Sequence, residues 1–145
     1  MSHSVLPHSV LTHTGPMALL ADSQLLFDGV KGELLSQWVV AQIAARNAPE
    51  AFSNPGEAVY IGAANGNASG FYQMAVDICQ PWGVDGVVHV KDAMQLDALH
   101  AEDIAVVILA GGDVGLGWGF LSQPSVREWL DYYTQTNGLI IGISA

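Results

Sequence analysis

Short apolar runs alternate with amphipathic segments along most of the chain. Each run is bounded by turn-forming residues such as glycine, proline, asparagine and aspartate. Runs of this kind predict strands that are buried on both faces, which is the pattern of parallel sheets. The predicted strands cover residues 23–27, 58–63, 86–90, 104–110 and 139–143.

Apolar residues at helical spacing fill the segments between these runs. The helices are predicted over residues 33–46, from Ser69 onward, in a short segment capped by Asp92, and over residues 124–136. Alternation of strands and helices requires crossovers that keep the strands parallel and place helices on both faces. The sequence therefore predicts an α/β fold, a flavodoxin-like three-layer sandwich with a mainly parallel sheet.

Hydrophobic residues show no sustained helical or strand periodicity in the first 17 residues. They contain His3, His8 and His13, and a five-residue step does not bring three metal ligands to one point on a helix or a strand. We therefore expect residues 1–17 to form a flexible arm that precedes a domain over residues 18–145.

Composition narrows the classes of function. Half of the residues are hydrophobic, and 14 acidic residues against four basic ones give a net charge of −10, which disfavours nucleic acid as a partner. No run reaches the roughly 18 apolar residues of a membrane span, so no membrane partner is expected. The single cysteine, Cys79, falls on an apolar helical stripe and is expected to be buried. A single cysteine cannot form an internal disulfide, which is compatible with the reducing cytoplasm, where we expect the protein to reside.

The residues that could carry chemistry follow the strands. In open parallel sheets, ligands bind outside the carboxyl ends of the strands. The predicted topology brings three segments to that edge, namely residues 65–69, residues 111–117 and Ser144.

The last predicted strand leads into a serine. It ends in GISA, the first half of the nucleophile elbow G-x-S-x-G, where a sharp turn requires small residues around Ser144. The preceding strand ends in GGD at residues 111–113, and its glycines leave backbone N–H groups to face a substrate oxygen. The N–H of Ala145 is the natural second donor. The alternative is a plain turn serine after a core strand.

The order of these features resembles the cyanophycinase and aspartyl dipeptidase (dipeptidase E) family of serine peptidases, which has the class I glutamine-amidotransferase-like fold. The matching segments are AVYIGAA at residues 58–64, VILAGGD at 107–113 and GLIIGISA at 138–145. The last segment matches the family's G-x-S-A-G-A elbow through its first four residues. The resemblance covers residues 23–145. It identifies residues 18–145 as the N-terminal part of such a hydrolase domain, truncated after the nucleophile strand.

The resemblance implies a serine-type peptidase that hydrolyses aspartyl peptide bonds, in an aspartyl peptide or a cyanophycin-like substrate, without a cofactor or a metal ion. Ser144 is then the nucleophile, and the N–H groups of Gly112 and Ala145 hold the oxyanion. Substrate is expected to contact Gly111, Asp113 and Asn65.

The catalytic histidine is expected outside this sequence. In the family it follows the nucleophile, whereas no residue follows Ala145 here. His89 lies inside a predicted strand and His100 at the end of a short helix, so neither is expected beside the serine. A serine without a base is a weak nucleophile. We therefore expect these 145 residues to be a fragment that is inactive alone. We also expect its last strand to be left open, with exposure of Ile140, Ile141 and Ile143.

Other interpretations stay open. Gly112, Gly115 and Gly117 are spaced as in some nucleotide loops, and Gly66 and Gly70 as at an anion-binding helix start. Neither forms the ordered G-x-G-x-x-G fingerprint or a P-loop. A noncatalytic or split-enzyme subunit on the same fold would instead bind a partner chain or another copy of itself.

Overall fold

Five strands form one parallel sheet in the computed structural model, which describes residues 15–20, 29–46 and 56–143. They are β1 (Met17–Leu20), β2 (Glu57–Ile61), β3 (Val87–Val90), β4 (Ile104–Ala110) and β5 (Leu139–Ile143). Their order is β1-β5-β4-β2-β3, and each pair of neighbours is parallel. Helices cover both faces, so the predicted flavodoxin-like three-layer sandwich is confirmed.

β1 differs in position from the first strand that the sequence predicts. The predicted strand at residues 23–27 lies outside the described residues, and β1 begins at Met17, the last residue of the predicted arm. The Ile140 N–H donates to the Pro16 carbonyl at 3.1 Å and ties the start of β1 to β5. A run of four apolar residues is too short for its period to distinguish a strand from an arm. Pairing with β5 is what defines β1.

β5 is an interior strand. It pairs with β4 on one side and with β1 on the other. Ile140 and Ile141 are consequently buried, and Ile143 is partly buried. The expectation that these three residues are exposed at an open edge is therefore wrong, because β1 covers the side of β5 that the prediction left unpaired. The edge strands of the described sheet are β1 and β3.

Five α-helices lie between the strands in the described part of the chain. They are α1 (Gly29–Arg46), α2 (Ser69–Cys79), α3 (Ala93–Asp97), α4 (Val114–Leu121) and α5 (Pro124–Gln135). α1 and α2 pack on one face of the sheet, and α3, α4 and α5 pack on the other. Local signals account for several ends: Asp92 forms a capping box with Gln95, and Asn137 in the left-handed region follows the end of α5.

α4 is the helix that the sequence did not predict. Its sequence VGLGWGFL places glycine at three alternate positions, and glycine disfavours a helix interior. Tertiary contacts outweigh that preference. The Asp113 carboxylate caps the helix by accepting the Leu116 N–H at 2.8 Å. A Cβ at Gly117 would lie 3.1 Å from the Ala64 Cβ, so glycine lets α4 approach the turn after β2.

Strand side chains alternate between the two buried layers. The layer that faces α1 and α2 includes Tyr60, Val106, Ile108, Leu139 and Ile141. The layer that faces α3, α4 and α5 includes Val59, Ile61, Val107 and Ile140. β4 contributes to both layers because its first five residues are all buried, as expected for a central parallel strand.

Arg46 joins three elements at the amino edge of the sheet. Its guanidinium donates to the Ala101 carbonyl at 2.7 Å and lies 4.6 Å from the centroid of the Tyr133 ring. The Tyr133 hydroxyl in turn donates to the Leu139 carbonyl at 2.9 Å. Burial lowers the pKa of Arg46, but the pKa of a guanidinium lies so far above neutral that the side chain remains charged.

Arg46→Met is expected to lower the free energy of unfolding by about 1.5–3 kcal/mol, because a charged hydrogen bond and a cation–π contact are lost together. Denaturant unfolding measures this difference. Arg127→Met on the exposed side of α5 is the matched control and should change stability by less than about 0.5 kcal/mol. Equal effects of the two substitutions would contradict the structural role of Arg46.

Candidate active site

The chain reverses direction across the sheet between β2 and β4. From β2 it proceeds to the edge strand β3, then returns past β2 to β4 and continues to β5. A reversal of this kind opens a crevice outside the carboxyl ends of the two strands, where ligands of α/β sheets bind. The turn at residues 62–65 leaves β2 at this place, and residues 111–113 leave β4.

The three consecutive backbone N–H groups in the turn after β4 differ in their hydrogen bonding. The Gly111 N–H donates to the Ile143 carbonyl at 2.6 Å, and the Asp113 N–H donates to the Ala64 carbonyl at 2.7 Å. Within the described ranges, the Gly112 N–H between them has no acceptor. Among the described residues, the Gly112 N–H is thus an unengaged donor between two anchored neighbours.

Gly112 requires glycine for two reasons. Its φ of 147° is a backbone conformation that residues with a side chain rarely adopt. A Cβ at this position would also overlap the carbonyl group of Ala64. The turn after β4 therefore lies directly against the turn after β2.

Ser144 and Ala145 lie outside the described residues. The strand that leads to them is well defined, because Ile143 pairs with Ala110 at the end of β4. The last described residue of β5 is thus next to the turn that contains Gly112. The sequence prediction that these two segments follow neighbouring strands agrees with the order β4-β5.

The polar side chains predicted to contact substrate have partners within the protein. The Asn65 amide donates to the Tyr60 hydroxyl at 2.9 Å, and its oxygen accepts the Ala68 N–H at 3.3 Å. The Asp113 carboxylate caps α4. Gly111 is held by Ile143, as described above. Contact of any of these residues with a substrate stays a prediction.

A cavity of about 290 Å³ opens next to the crevice. Strands β2, β4 and β5 and the turns after β2 and β4 form one side of it, with Tyr60, Asn65, Ile108, Ala110, Gly111, Gly112 and Ile143. α2 forms the other side with Phe71, Met74, Ala75 and Ile78. The sequence analysis did not name Tyr60 or Met74 as site residues. Tyr60 fits the pattern of a buried strand, and Met74 fits the apolar stripe of a helix that faces the core. The hydroxyl of Tyr60 within an otherwise apolar strand was the available signal.

Neither described histidine lies beside β5. His89 is on β3, three strand spacings from β5, which corresponds to roughly 14 Å. Its ring stacks on Tyr72 with 4.7 Å between centroids. Burial, followed by the charge of Lys91, lowers the pKa of His89 and favours the neutral ring. His100 precedes β4 and therefore lies at the amino edge, opposite the crevice.

The glycine-rich alternatives do not form an open loop after β4. Gly115 and Gly117 lie inside α4, and the Gly117 N–H donates to the Asp113 carbonyl at 3.0 Å. Gly66 ends the 3₁₀ turn after β2 in the left-handed conformation.

No three His, Cys, Asp or Glu side chains of the described residues gather where they could hold a metal ion. No helix in the described part of the chain is long and apolar enough to cross a membrane.

Cys79 is buried on α2, as predicted from the apolar stripe. Burial raises the pKa of its thiol to about 12, from an ordinary value of 9.0. The folded protein therefore keeps its proton at a pH where the unfolded chain loses it, and the unfolded state is favoured as the pH rises.

The free energy of unfolding is expected to fall between about pH 9 and pH 12, by at most about 1.4 kcal/mol per pH unit for this one group. Urea unfolding at several pH values measures the slope. The variant Cys79→Ala should show a shallower decline over the same interval. If the free energy of unfolding declined equally in both proteins, the pH dependence would arise from titratable groups other than Cys79.

Comparison with known proteins supports the fold. No family model matches the chain, and no curated protein matches it. The crystal structure of a peptidase from an acI-B1 Actinobacterium is similar, with a TM-score of 0.67 and 17% sequence identity. The similarity covers 91% of this chain and 55% of that peptidase, so the chain spans about half of its length. At this identity the comparison establishes a shared fold.

Proposed function

We propose that the chain carries the nucleophile-bearing part of a serine-type peptidase, with Ser144 as the nucleophile. The Gly112 N–H is the observation that carries this proposal, because it is unengaged within the described ranges while both neighbouring N–H groups are anchored. β5, which leads to Ser144, ends beside the same turn. Acyl transfer requires a nucleophile and an oxyanion donor close together. The shared fold with a peptidase supports the same class of reaction.

The proposed reaction proceeds through an acyl-enzyme. The Ser144 hydroxyl attacks the carbonyl carbon of the scissile bond and transfers its proton to a general base. The N–H groups of Gly112 and Ala145 stabilise the oxyanion. The intermediate then expels the amine, which takes the proton from the base, and water hydrolyses the ester.

The general base is proposed to be a histidine outside the described part of the chain. Neither described histidine is on a strand beside β5: His89 lies on β3, three strand spacings or roughly 14 Å away along the sheet, and His100 precedes β4 at the opposite edge. Further polypeptide or a partner chain can supply the base. If a partner chain supplies the base, the protein is a split-enzyme subunit, which is the alternative function. Activity then appears only when the partner is added.

The scissile bond is proposed to be an aspartyl peptide bond. The support is the resemblance to the cyanophycinase and dipeptidase E family at the segments AVYIGAA, VILAGGD and GLIIGISA. Comparison of aspartyl with alanyl p-nitroanilides tests this specificity. Equal kcat/KM values for the two substrates would overturn it, whereas the serine mechanism would still stand.

Labelling with a fluorophosphonate probe tests the serine mechanism itself. The complete gene product should form a single adduct, and mass spectrometry of its peptides should locate that adduct at Ser144. Ser125, at the exposed start of α5, is the internal control and should stay unmodified. Adducts spread over several serines, or none under conditions that saturate a known serine hydrolase, would refute the proposal.

A further inference from the structure

The cavity next to the crevice is apolar in its chemistry. Among the eleven described residues that line it, only Tyr60 and Asn65 carry a side-chain oxygen or nitrogen atom. These two side chains are hydrogen-bonded to one another, with Asn65 as the donor. Because Asn65 donates and the hydroxyl accepts, the O–H proton of Tyr60 remains available to an acceptor on a ligand. Apolar walls with a few placed polar groups are typical of small-molecule sites.

The size of the cavity suits one side chain. An apolar cavity of roughly 150 Å³ is enough to bind benzene. The present cavity, at about 290 Å³, therefore has room for a leucine, methionine or phenylalanine side chain with part of its backbone. Phe71 at its mouth is half exposed, so the cavity communicates with the surface.

Electrostatics disfavour an anionic side chain at this place. None of the lining residues that the structure describes is charged. The sequence has four basic residues, Lys31, Arg46, Lys91 and Arg127, against 14 acidic ones. Arg46 is engaged at the amino edge, and Lys91 and Arg127 are exposed on other elements. Transfer of an unpaired carboxylate into an apolar site is strongly unfavourable.

We infer that this cavity is a specificity pocket that binds an apolar side chain of the leucine, methionine or phenylalanine class, belonging to one of the two residues that flank the scissile bond. The inference rests on the proposed function for its link to hydrolysis. The cavity shares Gly111, Gly112 and Ile143 with the turn that carries the oxyanion donor and with the end of β5. A substrate residue whose side chain fills the cavity would have its backbone carbonyl close to the proposed oxyanion donor, the Gly112 N–H.

A set of dipeptides measures the selectivity of the complete gene product. Aspartate is kept at one position while the other residue is glycine, leucine, phenylalanine, aspartate or arginine, and each order is tested. The expected result is that kcat/KM for leucine or phenylalanine exceeds that for glycine, aspartate or arginine by at least about 10-fold, because a single methylene in a hydrophobic pocket changes kcat/KM by about 10–200-fold.

Substitution of Met74 connects the selectivity to the cavity. Met74 is partly exposed, packs against the core layer under α2 and lines the cavity, so unfolding curves are recorded for each of its variants. Met74→Lys is expected to reduce kcat/KM for the leucine dipeptide by at least about 10-fold and to raise it for the aspartate dipeptide. Met74→Leu preserves the shape and polarity of the cavity wall and should retain the preference for leucine over aspartate. Gln73→Lys, on the exposed side of α2 and outside the described cavity lining, is the matched control and should leave kcat/KM unchanged.

Binding of fluorobenzene, followed by ¹⁹F NMR, gives a readout that does not require catalysis. Binding is expected for the unmodified protein and for Met74→Leu, and loss of binding is expected for Met74→Lys. Fluorobenzene binding without fluorophosphonate labelling of Ser144 would retain the apolar site and refute the serine mechanism. Hydrolysis without preference for apolar residues, or no binding of fluorobenzene, would overturn the inference while leaving the serine mechanism intact.

Discussion

Replacing Ser144 by alanine is expected to lower kcat/KM for peptide hydrolysis by about 10³-fold or more. The substitution removes the atom that forms the acyl-enzyme, and loss of a nucleophilic serine has cost about 10⁶-fold in kcat where it has been measured in a serine protease. The remaining rate would come from the oxyanion donors and substrate binding alone. Steady-state kinetics and fluorophosphonate labelling of the same preparation measure both consequences.

The control for this substitution is Ser125→Ala. Both changes delete one hydroxyl group, and Ser125 lies exposed in the first turn of α5. Ser125→Ala should therefore retain full activity and full labelling. Unfolding curves show whether Ser144→Ala is folded, and a folded variant that still hydrolyses peptides would exclude Ser144 as the nucleophile.

Gly112→Ala is expected to lower kcat/KM by about 10²–10³-fold, the usual consequence of losing an oxyanion donor. A side chain at φ 147° is strained, and its Cβ would overlap the Ala64 carbonyl. The turn after β4 must shift to relieve that overlap, and the shift displaces the N–H. Holding the strained backbone should also lower the free energy of unfolding by about 1–3 kcal/mol.

Gly119→Ala separates the local geometry of Gly112 from the general effect of replacing glycine. Gly119 lies within α4, has no atom near the position of an added Cβ and has an ordinary φ. Alanine at this position should stabilise the protein by about 0.5–1 kcal/mol and leave kcat/KM unchanged. If Gly112→Ala is fully folded and retains full activity, another group must stabilise the oxyanion.

Local sequence determined the central part of the fold. The run at Ile104–Ala110 is apolar throughout and is followed at once by glycine, so the predicted and observed bounds of β4 coincide. The same holds for Leu139–Ile143, which starts directly after an asparagine–glycine helix stop. Such segments are predictable because a strand buried on both faces requires apolar residues at every position.

The position of the candidate site was also predictable in part. Strand–helix alternation requires a parallel sheet, and function in parallel sheets lies at the carboxyl ends of strands. That rule alone directed attention to Gly111, Gly112, Asp113 and Asn65. The resemblance named the Gly112 N–H as an oxyanion donor. The anchoring of the two neighbouring N–H groups was not predictable, because it depends on contacts with Ile143 of β5 and Ala64 of the turn after β2.

The tertiary structure alone decided β1, α4 and the cavity. The four residues Met17–Leu20 form a strand because β5 offers them a partner, which also removes the open edge that the sequence predicted. α4 forms despite its glycines because Asp113 caps it and Gly117 packs against Ala64. The cavity exists because α2 packs across the ends of β2, β4 and β5. Each of these features depends on residues distant in the sequence, and a local pattern contains no information about which distant partner a residue will meet.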